Sequence, residues 1–138
     1  MFASLLPTVL LSAASFAGQQ ADPTEVALNL CLDNPANGST SAQTRCEVQA
    51  ESAYDRRMNA AYGALLHTLP RGAAGELRNA QRTWLAFRDA QRMADVALFA
   101  TRQGTMYVPM QAGSATRVVR DRALQLEASL RILQIEAQ

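Results

Sequence analysis

The sequence predicts an all-α protein: a small antiparallel helical bundle of three long helices plus a short N-terminal helix. Three observations carry this. Apolar residues recur at intervals of three and four along most of the chain. Alanine is abundant and β-branched residues are scarce after residue 40, which favours helix over sheet. The 138 residues are 49% apolar and 18% charged, enough for one real core but not comfortably for two domains.

The N-terminal stretch predicts export. Met1 to Ala17 carries no charge, holds an apolar run from Leu5 to Leu11 and closes on Ser15-Phe16-Ala17, a small-x-small pattern. It reads as a cleaved secretory signal peptide over residues 1–17, although no basic residue precedes the apolar run. That run is too short to span a bilayer, which takes about 20 apolar residues. Residues 18–23 are polar and small, a flexible leader, and 24–138 form a single helical domain.

Thr24 to Leu32 reads as the short helix, with Val26, Leu30 and Cys31 turned inward. Asp33 to Ser41 is a loop by its Asn-Pro and Asn-Gly steps. Thr40 and Gln43 have the spacing of a capping box. They open a helix reaching Leu69, about 40 Å long. Cys46, Ala50, Ala53, Tyr54, Met58, Ala61, Tyr62, Leu65 and Leu69 share one of its faces. Pro70-Arg71-Gly72 breaks the chain. A second long helix follows from Ala73 to Thr101, with Leu77, Ala80, Trp84, Phe87, Gln91, Ala94 and Leu98 as its inward stripe. Gly104 to Gly113, containing Pro109, reads as a loop. Ser114 then caps a third helix to Ile135, with Val119, Ala123, Leu126, Leu130 and Leu133 inward. Short connections make chain neighbours antiparallel.

Cys31 and Cys46 are the two cysteines. In an oxidising compartment an even pair favours a disulfide, with two unpaired thiols as the alternative. Closing a loop of that length contributes roughly 3 kcal/mol on the chain-entropy model. Leu28-Asn29-Leu30 before Cys31 lacks the small residue that precedes a lipidated cysteine.

Charge and chemistry narrow the function classes. A net charge of +1 is not the footprint of a nucleic-acid binder or a polybasic membrane patch. His67 is the lone histidine and suits the end of a helix, where the dipole favours a cation. No second histidine or acidic cluster offers a metal site, and no phosphate loop or nucleophile elbow is present. The reading is a non-enzyme with no cofactor and no metal. What remains are polar rows at helical spacing: Asp55, Asn59 and Tyr62; Gln81, Trp84 and Arg88; Thr116, Arg120 and Leu124. They form either a buried hydrogen-bonded layer, with Arg88 paired to Asp55 or Asp89, or a polar groove that receives a partner.

All three rows carry a resemblance. Tyr54-Asp55, Met58-Asn59 and Tyr62 resemble the D-x-x-L/M-N-x-x-Y pattern of the LprI-type lysozyme-inhibitor family. Leu77 to Ala90, reading LRNAQRTWLAFRDA, is similar to that family's central L-R-x-A-Q-R-x-W-x-x-[FY]-R-D-A signature. Arg120 and Leu124 resemble its closing R-x-x-x-L. The likeness covers about Cys31 to Glu127. A second cysteine pair that the family commonly carries is missing as a pair: Arg92 stands at one position, and Met110 to Thr116 holds no cysteine.

The resemblance implies an exported binding protein with a protein partner, for one member a lysozyme. It marks Asp55, Asn59, Tyr62, Gln81, Trp84, Arg88, Asp89 and Arg120 as structural or partner-binding residues. Animal lysozymes are strongly basic, so an inhibitor gains association rate from negative charge. Asp33, Glu47 and Glu51 are the acidic residues expected to face such an enzyme. The alternative is an envelope structural, interaction or immunity-type protein with an unrelated partner. The oligomeric state is not legible.

Overall fold

The computed structural model describes residues 21–135. The signal segment expected over 1–17 lies outside the described residues. Four α-helices follow in order: α1 Pro23–Asp33, α2 Thr40–Thr68, α3 Arg71–Ala100 and α4 Tyr107–Ile135, with a single 3-10 turn at Pro35–Asn37. The chain is an all-α bundle, as expected, and Cys31 and Cys46 are joined in a disulfide with Cα atoms 5.8 Å apart.

The core lies between α2 and α4. Tyr54, Met58, Ala61 and Leu65 of α2 close on Val119, Ala123 and Leu126 of α4. The rows fall three and four apart on both helices, so each presents one continuous apolar face. The pair runs in the same direction. Thr116 donates its hydroxyl to the Glu47 carbonyl at 3.0 Å, and one bundle layer further on Arg57 meets Glu127 at 2.8 Å. Ala123 is fully buried, and Gly113 has no side chain, so the Glu47 carboxylate lies close against α4 there.

Helix α1 runs antiparallel to α2 and is held at both ends. The disulfide fixes its C-terminal end. At its start, Asp22 caps the helix by accepting from the Thr24 and Glu25 amides, each at 3.0 Å. The same carboxylate accepts from the Tyr54 hydroxyl at 2.9 Å and pairs with Arg57 at 2.7 Å. Arg57 thus ties α1 to α2 and, through Glu127, to α4. Burial pushes the Asp22 carboxyl up, but the Glu25 amide, Arg57 and Tyr54 outweigh it and hold the group below its ordinary value of 3.8. A depressed folded value means that this stabilisation is complete above the unfolded value and is lost as pH falls through the folded one. Thermal midpoints measured from pH 6 down to pH 2.5 are therefore expected to fall below about pH 4. The fall is expected to be shallower in Asp22→Asn; equal slopes contradict this role.

Several sequence expectations are corrected. Helix α1 begins at Pro23, one residue before the expected Thr24, with Asp22 as its cap. Val26 and Leu30 point outward, 42% and 69% exposed, while Leu28 and Cys31 are half-buried. An eleven-residue helix tied down at its ends needs little apolar burial. Ser39, not Thr40, caps α2, accepting from the Ala42 amide at 3.2 Å. Helix α4 starts at Tyr107, not Ser114. Pro109 sits in its first turn, where amides have no helical acceptor, so the proline fits a helix start there.

The stripe on α3 is rotated by about one position. Ala80, Phe87, Ala94 and Leu98 face outward, and the inward row is Leu77, Gln81, Trp84, Arg88, Gln91 and Asp95. These are long or polar side chains, so α3 stands off from the α2/α4 pair instead of packing closely on it. Gln91 and Ser114 both donate to the buried Asp95 carboxylate at 2.8 Å. Arg92 pairs with Glu51 of α2. Arg92 also shares a hollow of about 360 Å³ with Gln111, Ala112 and Ala115 of α4. Both places where the second cysteine pair is missing therefore line the same hollow.

Candidate functional site

Because α3 stands off, a groove of about 440 Å³ opens between it and α2. Asp55, Asn59 and Tyr62 line one wall, and Gln81 and Arg88 line the other. Five of the eight motif residues expected from sequence thus meet in one place. Asn59 donates to Asp55 at 3.0 Å, and of the two expected partners of Arg88 it is Asp89 that it pairs with, at 2.8 Å. Trp84 lies half-buried beneath, packed against the core, with the Arg88 guanidinium 5.6 Å from its ring centre. Asp89 is exposed beside the groove.

Arg120 is elsewhere. It reaches Asp121 at 3.1 Å and Glu25 of α1 at 3.4 Å. In the row of Thr116, Arg120 and Leu124, Thr116 faces α2 while Arg120 and Leu124 lie toward α1, so the row is not a third wall of the groove. Glu47 and Glu51 do not line it: Glu47 lies against Gly113, and Glu51 is paired with Arg92 one helical turn beyond Asp55 and Arg88.

Beneath the groove is a buried polar layer. Arg122 of α4, only 9% exposed, donates from Nε to the Gln81 side chain at 3.0 Å and from Nη1 to Gln125 at 2.6 Å. Its guanidinium carbon lies 6.0 Å from the Trp84 ring centre. Burial pushes this guanidinium below the usual arginine range, although the neighbouring Tyr62 opposes the shift. Gln81 both lines the groove and holds Arg122, so it links the opening to its floor.

Sequence reasoning did not single out Arg78, Arg82 and Leu85, which complete the α3 wall beside the core residue Met58. Their signal was present: residues 78, 82 and 85 fall at i, i+4 and i+7 on one helical row. Arg122 also had a signal, standing three residues from Val119 and four from Leu126 on the apolar face of α4.

The described residues contain no cluster of histidine, cysteine or acidic side chains able to hold a metal. No helix among them is long and apolar enough to cross a membrane. The arrangement is that of a disulfide-clipped helical domain with a polar groove on one side. The family model described as "Lysozyme inhibitor LprI" matches residues 31–126, and the chain belongs to that family. An uncharacterized protein of Burkholderia thailandensis, known from its crystal structure, is 34% identical with a TM-score of 0.76. The match covers 83% of this chain but 56% of that one, so this chain spans little more than half its length. No curated protein matches.

Proposed function

We propose that the chain is a non-enzymatic, exported binding protein of the bacterial envelope that inhibits a lysozyme-like muramidase. The observation that carries the reading is the convergence of motif residues from two helices on one open groove. The core lies between α2 and α4, and the exposed Asn59, which lines the groove, contributes nothing to it. The disulfide supports an oxidising compartment, and the sequence of residues 1–17 supports export. Asp55, Asn59, Tyr62, Gln81 and Arg88 would contact the partner, with Trp84 shaping the wall beneath them.

The test is hydrolysis of cell walls by lysozyme with and without a molar excess of the oxidised chain lacking residues 1–17. The rate is expected to fall at least tenfold, and an unchanged rate contradicts the proposal.

A second reading has its own observation. The groove wall carries Arg78, Arg82 and Arg88, a poor match to a strongly basic enzyme. That favours an immunity-type or accessory role toward an unrelated envelope protein. Saturable binding to such a protein, without any effect on lysozyme, decides for it.

A further inference from the structure

We propose that the groove between α2 and α3 is a carboxylate-receiving site whose occupant is an acidic segment of a protein partner. The inference rests on the groove being the docking site, and it names the chemistry of what docks there.

Charge is the first argument. Three arginines line the groove against one carboxylate, Asp55. Arg78 and Arg82 make no ion pair among the described residues. Arg82 bonds only the neutral Asn79 side chain. Arg88 is paired with Asp89, but that carboxylate is 65% exposed, so water screens the pair and an incoming group can exchange with it. All 13 basic residues of the chain are arginine, whose planar fork matches a carboxylate with two parallel hydrogen bonds.

The floor of the groove supplies a second, independent argument. Arg122 is buried with no carboxylate partner. Its two acceptors are neutral amides, and its Nη2 has no acceptor among the described residues. A buried cation without an anion is costly and projects a positive potential through low-dielectric surroundings. Gln81 joins this cation to the groove, so an anion bound above it lies in that field. The volume suits a few side chains rather than a whole helix. A basic surface is repelled. Glycosidic hydrolysis itself runs on a carboxylate pair, so even a basic muramidase presents acidic groups.

Trp84 is the only tryptophan in the chain and lies against both Arg88 and Arg122, so its fluorescence reports on the site. The oxidised chain is titrated at low salt with a blocked peptide of alternating glutamate and glycine. A saturable change in Trp84 emission is expected, at least tenfold weaker in affinity for Arg78→Glu with Arg82→Glu. Arg78→Gln with Arg82→Gln should fall between. Both pairs are exposed, and unchanged thermal midpoints confirm that the variants fold. Arg102→Glu with Arg131→Glu, remote from the groove, should bind as the parent does. The matching glutamine peptide should give no change. No saturable response, an equal response to the glutamine peptide, or equal weakening in the remote variant each overturns the inference. Lysozyme inhibition measured in parallel separates the two proposals. Inhibition without a peptide response removes this one alone, and a peptide response without inhibition removes the other alone.

Discussion

Replacing both cysteines, Cys31→Ser with Cys46→Ser, is expected to destabilise the protein by about 3 kcal/mol, from the loop entropy that the link removes from the unfolded chain. The thermal midpoint should fall by on the order of 10 °C. The loss should be concentrated in α1. None of the residues of α1 is fully buried, and a helix of 11 residues is not stable alone in water. With the link gone, the ion pairs that still hold it, Asp22 with Arg57 and Glu25 with Arg120, lie at or before its first turn. Amide exchange should therefore speed up across residues 23–33 before it does so in α2 or α4, whose contact does not involve the disulfide. A midpoint unchanged by the double substitution, or uniform loss of protection across all helices, contradicts this account of how α1 is attached.

The second large effect is expected at Tyr54, which is completely buried at the centre of the α2/α4 contact. Tyr54→Ala leaves a ring-sized cavity and should cost about 3–5 kcal/mol, in the range of large aromatic truncations. Tyr54→Phe keeps the packing and removes only the hydroxyl that donates to Asp22. It should cost about 1 kcal/mol. The two substitutions separate the ring's role in the core from the hydroxyl's role in holding α1. Chemical denaturation of both variants gives the comparison. Equal losses would mean that the hydroxyl, not the ring, carries the stability.

The legible parts of the sequence were those in which burial and polarity agree. On α2, Cys46, Ala50, Tyr54, Met58, Ala61 and Leu65 are apolar, regularly spaced and buried, so the face was readable. On α3 the two properties part company. Phe87 and Leu98 are apolar yet outward, while Gln81, Arg88 and Asp95 are polar yet inward. A rule that turns apolar residues inward therefore rotated the helix. Pro109 reads as a loop residue because a proline interrupts a helix interior, but in a first turn it is tolerated. The parallel pairing of α2 with α4 joins elements that are not chain neighbours, and no local pattern marks it. For the groove, the motif residues were legible as rows on two helices. Their convergence was not, because it depends on the distance at which α3 stands from α2, which no local pattern on either helix records. Arg120 shows the converse: it belongs to the same motif set, yet the fold sends it to α1.

The central claim is that the motif residues of α2 and α3 form the surface a partner occupies. Lysozyme inhibition curves for the parent chain and for Asn59→Trp, which adds uncharged bulk at an exposed position inside the groove, test it most directly. The account predicts at least tenfold weaker inhibition by the groove variant, and unchanged inhibition by Arg56→Ala on the exposed surface of α2. Equal potency of the groove variant and the parent would contradict it.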